Sequence, residues 1–204
     1  MVAAILLAAG ASTRYGANKL ALPFGAGTVI STVAAAVAQT AARGIVAVTG
    51  HDPSAVAAAL AGQPVVFAHN PGYAAGEMLS SIQAGLRFLE SSGEAPEAAM
   101  IVLGDQPLVS PALMNRLIDA FERGCGEIVA PRLGHAGRRG HPVIFGRTMW
   151  PELLALPPGA SAREVLLRRP ERVAHVIAAD DGMLRDVDTP AEYQSALAAR
   201  RPAR

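Results

Sequence analysis

Short apolar runs recur along the chain, separated by longer stretches whose apolar positions fall at helical spacing. The runs Val2 to Leu7, Ile45 to Thr49, Val65 to Ala68, Met100 to Leu103, Ile128 to Ala130, Val143 to Phe145 and Val173 to Ile177 hold almost no polar residue, the pattern of strands buried on both faces. The spacing between them predicts helices over Thr28 to Ala41, Pro53 to Ala61, Leu79 to Glu90, Pro111 to Arg123, Ala160 to Arg168 and Pro190 to Ala199. Such alternation predicts an α/β fold, a three-layer arrangement with a mostly parallel sheet and helices on both faces, because parallel neighbours need a crossover and a helix supplies it. One stretch breaks the rhythm: Pro131 to Phe145, with Gly134, Gly137, Gly140 and Pro142, reads as a small inserted hairpin or flap. Ligands in these sheets bind at the carboxyl ends of strands, which selects the loops after Leu7, Ala68 and Leu103.

Composition narrows the classes. At 204 residues without a Pro/Ser/Gly-rich linker, the chain reads as one domain over 1–199, followed by a short basic tail at 200–204 with Arg200, Arg201 and Arg204. Basic and acidic residues nearly balance, at 18 and 17, so no electrostatic footprint for nucleic acid or an anionic membrane is present. The single cysteine, Cys125, rules out an intrachain disulfide or a Cys-based zinc site, and no nearby His or Asn marks it as a nucleophile. The apolar start from Met1 to Gly10 lacks a positive leader and is too short for a membrane span, so a cytoplasmic protein is expected.

The loop after the first run, Ala8-Ala9-Gly10-Ala11-Ser12-Thr13-Arg14-Tyr15-Gly16-Ala17-Asn18-Lys19, gathers small residues, two glycines and two cations. Backbone amides turn inward on an anion only where side chains leave room, and Arg14 and Lys19 can neutralise phosphate oxygens. A plain strand-to-helix turn with two solvated cations fits the same residues. Neither the dinucleotide-binding fingerprint nor the P-loop spacing is present. Asp105, in Gly104-Asp105-Gln106-Pro107 directly after the fourth run, is placed to hold Mg²⁺ at the sheet edge, or else to cap a turn before Pro107. Ser80 and Ser81 can cap a helix or hydrogen-bond a base; Asp52 reads as a helix cap, and Asp188 sits in an N-cap region before Pro190.

Taken in order, these segments resemble the MobA-like nucleotidyltransferases, closest to the molybdopterin cytidylyltransferase branch. The stretch Leu7 to Gly16 with Lys19 is similar to that family's N-terminal signature, with Tyr15 standing where Met is usual. Gly104-Asp105 is similar to its metal-binding strand end, and Asp186-Val187-Asp188-Thr189-Pro190 to a segment near its C-terminus. Asn70-Pro71-Gly72-Tyr73, Gly76, Ser80, Ser81 and Gly85 resemble its base and ribose element, and Gly140-His141-Pro142 a segment typical of the cytidylyltransferase branch. The resemblance implies a nucleotide site at Leu7, Ala8, Ala9, Gly10, Arg14, Lys19, Asn70, Gly76, Ser80, Ser81 and Gly104. Arg14, Lys19 and Asp105 would act in catalysis, Asp105 and Asp188 would be Mg²⁺ ligands with Asp186 a weaker candidate, and His141 and Arg138, with Arg139 beside it, would meet the acceptor.

The expected reaction is Mg²⁺-dependent transfer of CMP from CTP to the phosphate of molybdopterin, with release of pyrophosphate. Expected partners are these small molecules and a molybdoenzyme client, with no nucleic acid and no membrane. Other phosphorylated acceptors, a nicotinamide- or flavin-linked oxidoreductase on a similar fold, and a nucleotide-binding carrier without turnover stand as alternatives.

Overall fold

The computed structural model describes residues 1–11, 18–75, 78–93, 96–134 and 137–200. The first apolar run forms β1 (Val2–Ala8), buried along nearly its whole length. Successive side chains of a strand point to opposite faces, so β1 feeds two cores. Val2, Ala4, Leu6 and Ala8 pack with Ile30, Val33, Ala34 and Val37 of α1 (Val29–Ala38), and with Leu113, Met114, Leu117 and Ile118 of α4 (Pro111–Glu122). On the other face, Ala3 and Ile5 meet Leu79, Ile82, Leu86 and Leu89 of α3 (Met78–Ser91). A Cβ on Gly85 would stand 2.6 Å from Ile5 Cγ2, so only glycine lets α3 lie this close to β1.

The other sheet strands are β4 (Ile45–Thr49), β5 (Val66–His69), β6 (Ala98–Leu103), β7 (Ile128–Leu133), β8 (Val143–Gly146) and β9 (Val173–Ala178). Their order is β5-β4-β1-β6-β8-β7-β9. All pairings are parallel except those of β8, which runs antiparallel between β6 and β7. The interruption after Pro131 is therefore a hairpin whose returning arm is a central strand, and only its tip leaves the sheet. Strand order reverses between β4 and β6 on either side of β1, which opens a crevice at the carboxyl ends of β1 and β6.

Local signals explain most boundaries. Thr28 caps α1 through a reciprocal pair with Ser31; Asp52 caps α2 (Pro53–Ala59) and Ser110 caps α4, each followed by a helical Pro. α1 stops at Ala38, earlier than its apolar spacing extends, where the Thr40 backbone and hydroxyl both donate to Val37 O. α6 (Arg163–Arg168) starts later than Ala160 because Ser161 N donates to the Glu164 carboxylate and Glu164 N to Ser161 O, a turn that precedes the helix. Thr189 caps α7 (Pro190–Ala199).

Besides short 3₁₀ turns, two features among the described residues lie outside the predicted set. One is the small ribbon of β2 (Pro23–Phe24) and β3 (Gly27–Thr28), turned by Gly25 at φ 67°. Its Phe24 joins Val187 and Ala196 in a satellite core, and the Tyr193 hydroxyl donates to Pro23 O, so α7 is held against this ribbon. The other is α5 (Trp150–Leu154), whose C-terminal carbonyls are held by Gln83 Nε2 from α3. Trp150 is fully buried and donates its indole N–H to Phe145 O at 3.1 Å. Trp150→Ala is expected to cost about 3–5 kcal/mol and to lower Tm by about 10 °C, read by thermal unfolding; a shift of a degree or two would show that this core collapses around the loss. Among the described residues, no helix is long and apolar enough to cross a membrane.

Candidate active site

The crevice exists because β1 and β6 end side by side. Gly104 N donates to Leu7 O at 3.0 Å, and a Cβ on Gly104 would stand 2.7 Å from that oxygen, so the glycine brings the end of β6 against the first loop. Asp105 follows directly. Here a cavity of about 440 Å³ opens, lined by the predicted Leu7, Ala8, Ala9, Gly10, Lys19, Ser81 and Asp105. Among the described residues, Ala11, Leu20, Tyr73, Ala74, Met78 and Leu103 also line it. Among the described residues, a Cβ on Gly10 would meet no atom within 4 Å. Tyr73 closes one side with its ring edge-on to His51 and His69, at centroid distances of 6.0 and 6.4 Å.

Lys19 stands in a turn of 3₁₀ helix, Lys19–Ala21, capped by the Asn18 side chain. Its Nζ donates to Asp105 Oδ2 at 2.6 Å and to Asp188 Oδ1 at 2.5 Å, so three residues far apart in sequence meet around one charge. Burial works against the ammonium, but the attraction and hydrogen bonds of Asp105 and Asp188 together outweigh it, and the Lys19 pKa stands above the ordinary lysine value. Lys19 is a fixed cation at any working pH.

Asp186 sits nearby, bonded to Gln106 Nε2 at 2.6 Å. Burial pushes its carboxyl above the ordinary value; the Gln106 bond and Lys19 oppose this, while the charges of Asp105 and Asp188 add to it. Of the two acids in this segment, Asp188 shares the cation with Asp105 and Asp186 faces Gln106.

The base element comes together differently from a row of open donors. Asn70, 3% exposed, donates from Nδ2 to Ser80 Oγ at 2.9 Å and Ser81 Oγ at 3.0 Å, and accepts from Gly72 N at 2.9 Å. These three side chains form a brace from the β5 loop to the first turn of α3, and Ser81 alone among them lines the cavity. On the hairpin side, His141 N donates to Met183 O, and a Cβ on Gly140 would stand 2.4 Å from that same oxygen. His141 Nδ1 faces Ile101 O at 3.5 Å. Burial lowers the His141 pKa, while the Ile101 carbonyl and the Asp105 charge act the other way, so the imidazole is neutral near pH 7. Positive charge on this side comes from Arg138 and Arg139, both exposed on the hairpin tip. Arg14 and Gly76, predicted in the nucleotide site, lie outside the described residues.

A divalent cation fits this donor set in one particular way. Among the described residues, no group of three or more His, Cys, Asp or Glu side chains is placed to hold a metal. Two carboxylates around one positive charge suit Mg²⁺ or Mn²⁺ held by the protein through one or two oxygens, with substrate phosphates supplying others, rather than a closed all-protein cage.

The chain is similar to known proteins over most of its length. The family model described as the MobA-like NTP transferase domain matches residues 4–173. The molybdenum cofactor cytidylyltransferase of Escherichia coli K12 is 26% identical over 193 residues, 94% of this chain and 93% of that protein. The nicotine blue oxidoreductase of Paenarthrobacter nicotinovorans is 29% identical over 196 residues, 92% of each. Among solved structures, Rv0371c of Mycobacterium tuberculosis H37Rv superposes with a TM-score of 0.76 at 30% identity over 97% of both chains. That protein has also been solved in complex with manganese, at a TM-score of 0.72 and 28% identity, covering 98% of this chain and 99% of that one.

Proposed function

Because the chain belongs to the MobA-like NTP transferase family, we propose that it is a cytoplasmic cytidylyltransferase, moving CMP from CTP to the phosphate of a molybdopterin-type acceptor. The observation that carries this reading is the Lys19–Asp105–Asp188 cluster, of which Lys19 and Asp105 line the same cavity as Ala8, Ala9 and Gly10. A site of this size suits a nucleotide.

In the proposed reaction an acceptor phosphate oxygen forms a bond to the α-phosphorus of CTP as the bond from that phosphorus to the bridging oxygen breaks, and pyrophosphate leaves with the electron pair. Catalysis then consists of positioning and charge neutralisation, with no covalent enzyme intermediate. Asp105 and Asp188 would hold a divalent cation, which would supply Lewis-acid stabilisation of the phosphate charge. Lys19 contributes a permanent positive charge to the phosphates, as Arg14 does in this reading. The lack of a side chain at Gly10 lets amides approach the anion. Asn70 acts by bracing the loop that carries Tyr73 against α3, while Arg138 and Arg139 attract the acceptor phosphate and neutral His141 accepts a hydrogen bond from the acceptor.

A second reading has its own support, the 29% identity to a nicotine blue oxidoreductase. The transferase reading is preferred because paired carboxylates around a lysine suit metal-bound phosphates, whereas hydride transfer needs no such cluster. Pyrophosphate release from CTP, GTP and ATP, with Mg²⁺ and molybdopterin and against a no-acceptor control, separates the two. Release with CTP alone, and only with acceptor, is the expected result. Silence with all three nucleotides, together with acceptor-dependent oxidation of NADH or NADPH, would move the protein to the oxidoreductase side.

A further inference from the structure

Asp105 and Asp188 are 83 positions apart, and the tie between the segments carrying them is unusual. Along the backbone, Val187 N donates to Asp105 O at 2.9 Å. A single side chain adds to this: Gln106, 4% exposed, directs Nε2 to Met183 O at 3.2 Å and to Asp186 Oδ1 at 2.6 Å. Both amide hydrogens are thereby committed to the segment that ends in Asp188. Its Oε1, buried, has no hydrogen-bond partner among the described residues.

That unmet oxygen is informative. Burying a carbonyl without a partner is costly, and a methionine or leucine would fill the space without the cost. Packing therefore does not account for an amide here; its two donors do. Residues 182–184 are also pressed against the β6 loop, since a Cβ on Gly182 would stand 2.4 Å from Leu108 O. This contact fixes the start of the segment, whereas Gln106 fixes the stretch leading to the second carboxylate.

We infer that Gln106 is a positioning residue for the reaction proposed above, setting how the Asp186–Asp188 segment is presented to Asp105 and hence whether both carboxylates reach one cation. The inference rests on the metal-dependent transferase reading. It assigns Gln106 no contact with substrate.

A double-mutant cycle tests it with Mn²⁺ as the probe, bound in the presence of CTP without acceptor and read by electron paramagnetic resonance. Gln106→Met is expected to lower Tm by only a few degrees, because removal of the unmet carbonyl offsets part of the cost of two lost hydrogen bonds, and to weaken Mn²⁺ binding about tenfold. In an Asp188→Ala background the same substitution is expected to change Mn²⁺ affinity less than about twofold, because the carboxylate it positions is gone. Equal losses in the two backgrounds would assign Gln106 a merely structural role and overturn the inference, as would Mn²⁺ affinity unchanged in Gln106→Met. If Gln106→Met does not fold, Gln106→Leu, apolar and likewise without the two donors, reads the same coupling. Failure of the parent protein to bind Mn²⁺ with CTP would instead bring down the transferase reading and this inference with it.

Discussion

Asp105→Asn is expected to lower turnover on the order of 10³-fold while leaving the fold intact. The substitution keeps the side-chain shape and removes one charge. The bonds that place the residue are mainly backbone ones, Gly104 N to Leu7 O and Val187 N to Asp105 O, and neither involves the carboxylate. What is lost is one of the two carboxylates that would hold a divalent cation in the proposed reaction, and loss of that cation would remove several kcal/mol of charge stabilisation, each ~1.4 kcal/mol being tenfold in rate. Steady-state pyrophosphate release across a Mg²⁺ titration, with Tm measured alongside, checks this. A variant with near-parental rate and the same Mg²⁺ dependence would remove Asp105 from the metal site.

Lys19→Met is expected to move two measurements in opposite directions. Turnover falls, on the order of 10²-fold or more, because a preorganised charge aimed at the phosphates is lost. Mn²⁺ binding without nucleotide tightens, because in the parent protein a metal must take the same two carboxylates that the ammonium holds at 2.6 and 2.5 Å. Side-chain exposures of 13% for Lys19, 21% for Asp105 and 38% for Asp188 mean that solvent screens the pairs in part, the Asp188 one most. At about 1 kcal/mol for each such pair, their release corresponds to a gain of about tenfold or more in affinity. Titration of Mn²⁺ into both proteins without nucleotide decides the point. Unchanged affinity in Lys19→Met would mean that the ammonium does not compete for these oxygens in solution, and Lys19 would then be a phosphate ligand only. The parent protein is expected to take up metal chiefly together with the nucleotide, whose phosphates draw Lys19 off the carboxylates.

Much of the fold was legible in the chain because its signals are local. A strand buried on both faces must be apolar throughout, so β1, β4 and β6 stand out, and a cap such as Asp52 acts within a few residues of itself, whereas the cap of α7 proved to be Thr189, one residue past Asp188. The ribbon at Phe24 and the helix at Trp150 were not legible. Both are too short to show a period, and they form because distant surfaces, α7 in one case and Gln83 in the other, complete them.

The candidate site divides in the same way. Gly10, Lys19, Ser81 and Asp105 were expected at the nucleotide site from motif order, and they line one cavity. Asn70 was expected in the base and ribose element; its side-chain hydrogen bonds go to Ser80, Ser81 and Gly72 in a brace, an arrangement set by where the β5 loop meets α3. The pairing of Lys19 with Asp188, 169 positions away, could not follow from spacing. By itself, the sequence determined the α/β alternation, the loops that carry chemistry and the residue types available there, because periodicity and turn chemistry are properties of neighbouring residues. Only the tertiary structure decided which carboxylate shares the Lys19 ammonium with Asp105, which amide spends its donors on Asp186, and that His141 Nδ1 faces Ile101 O, because charge and hydrogen bonding depend on what long-range packing sets opposite each group.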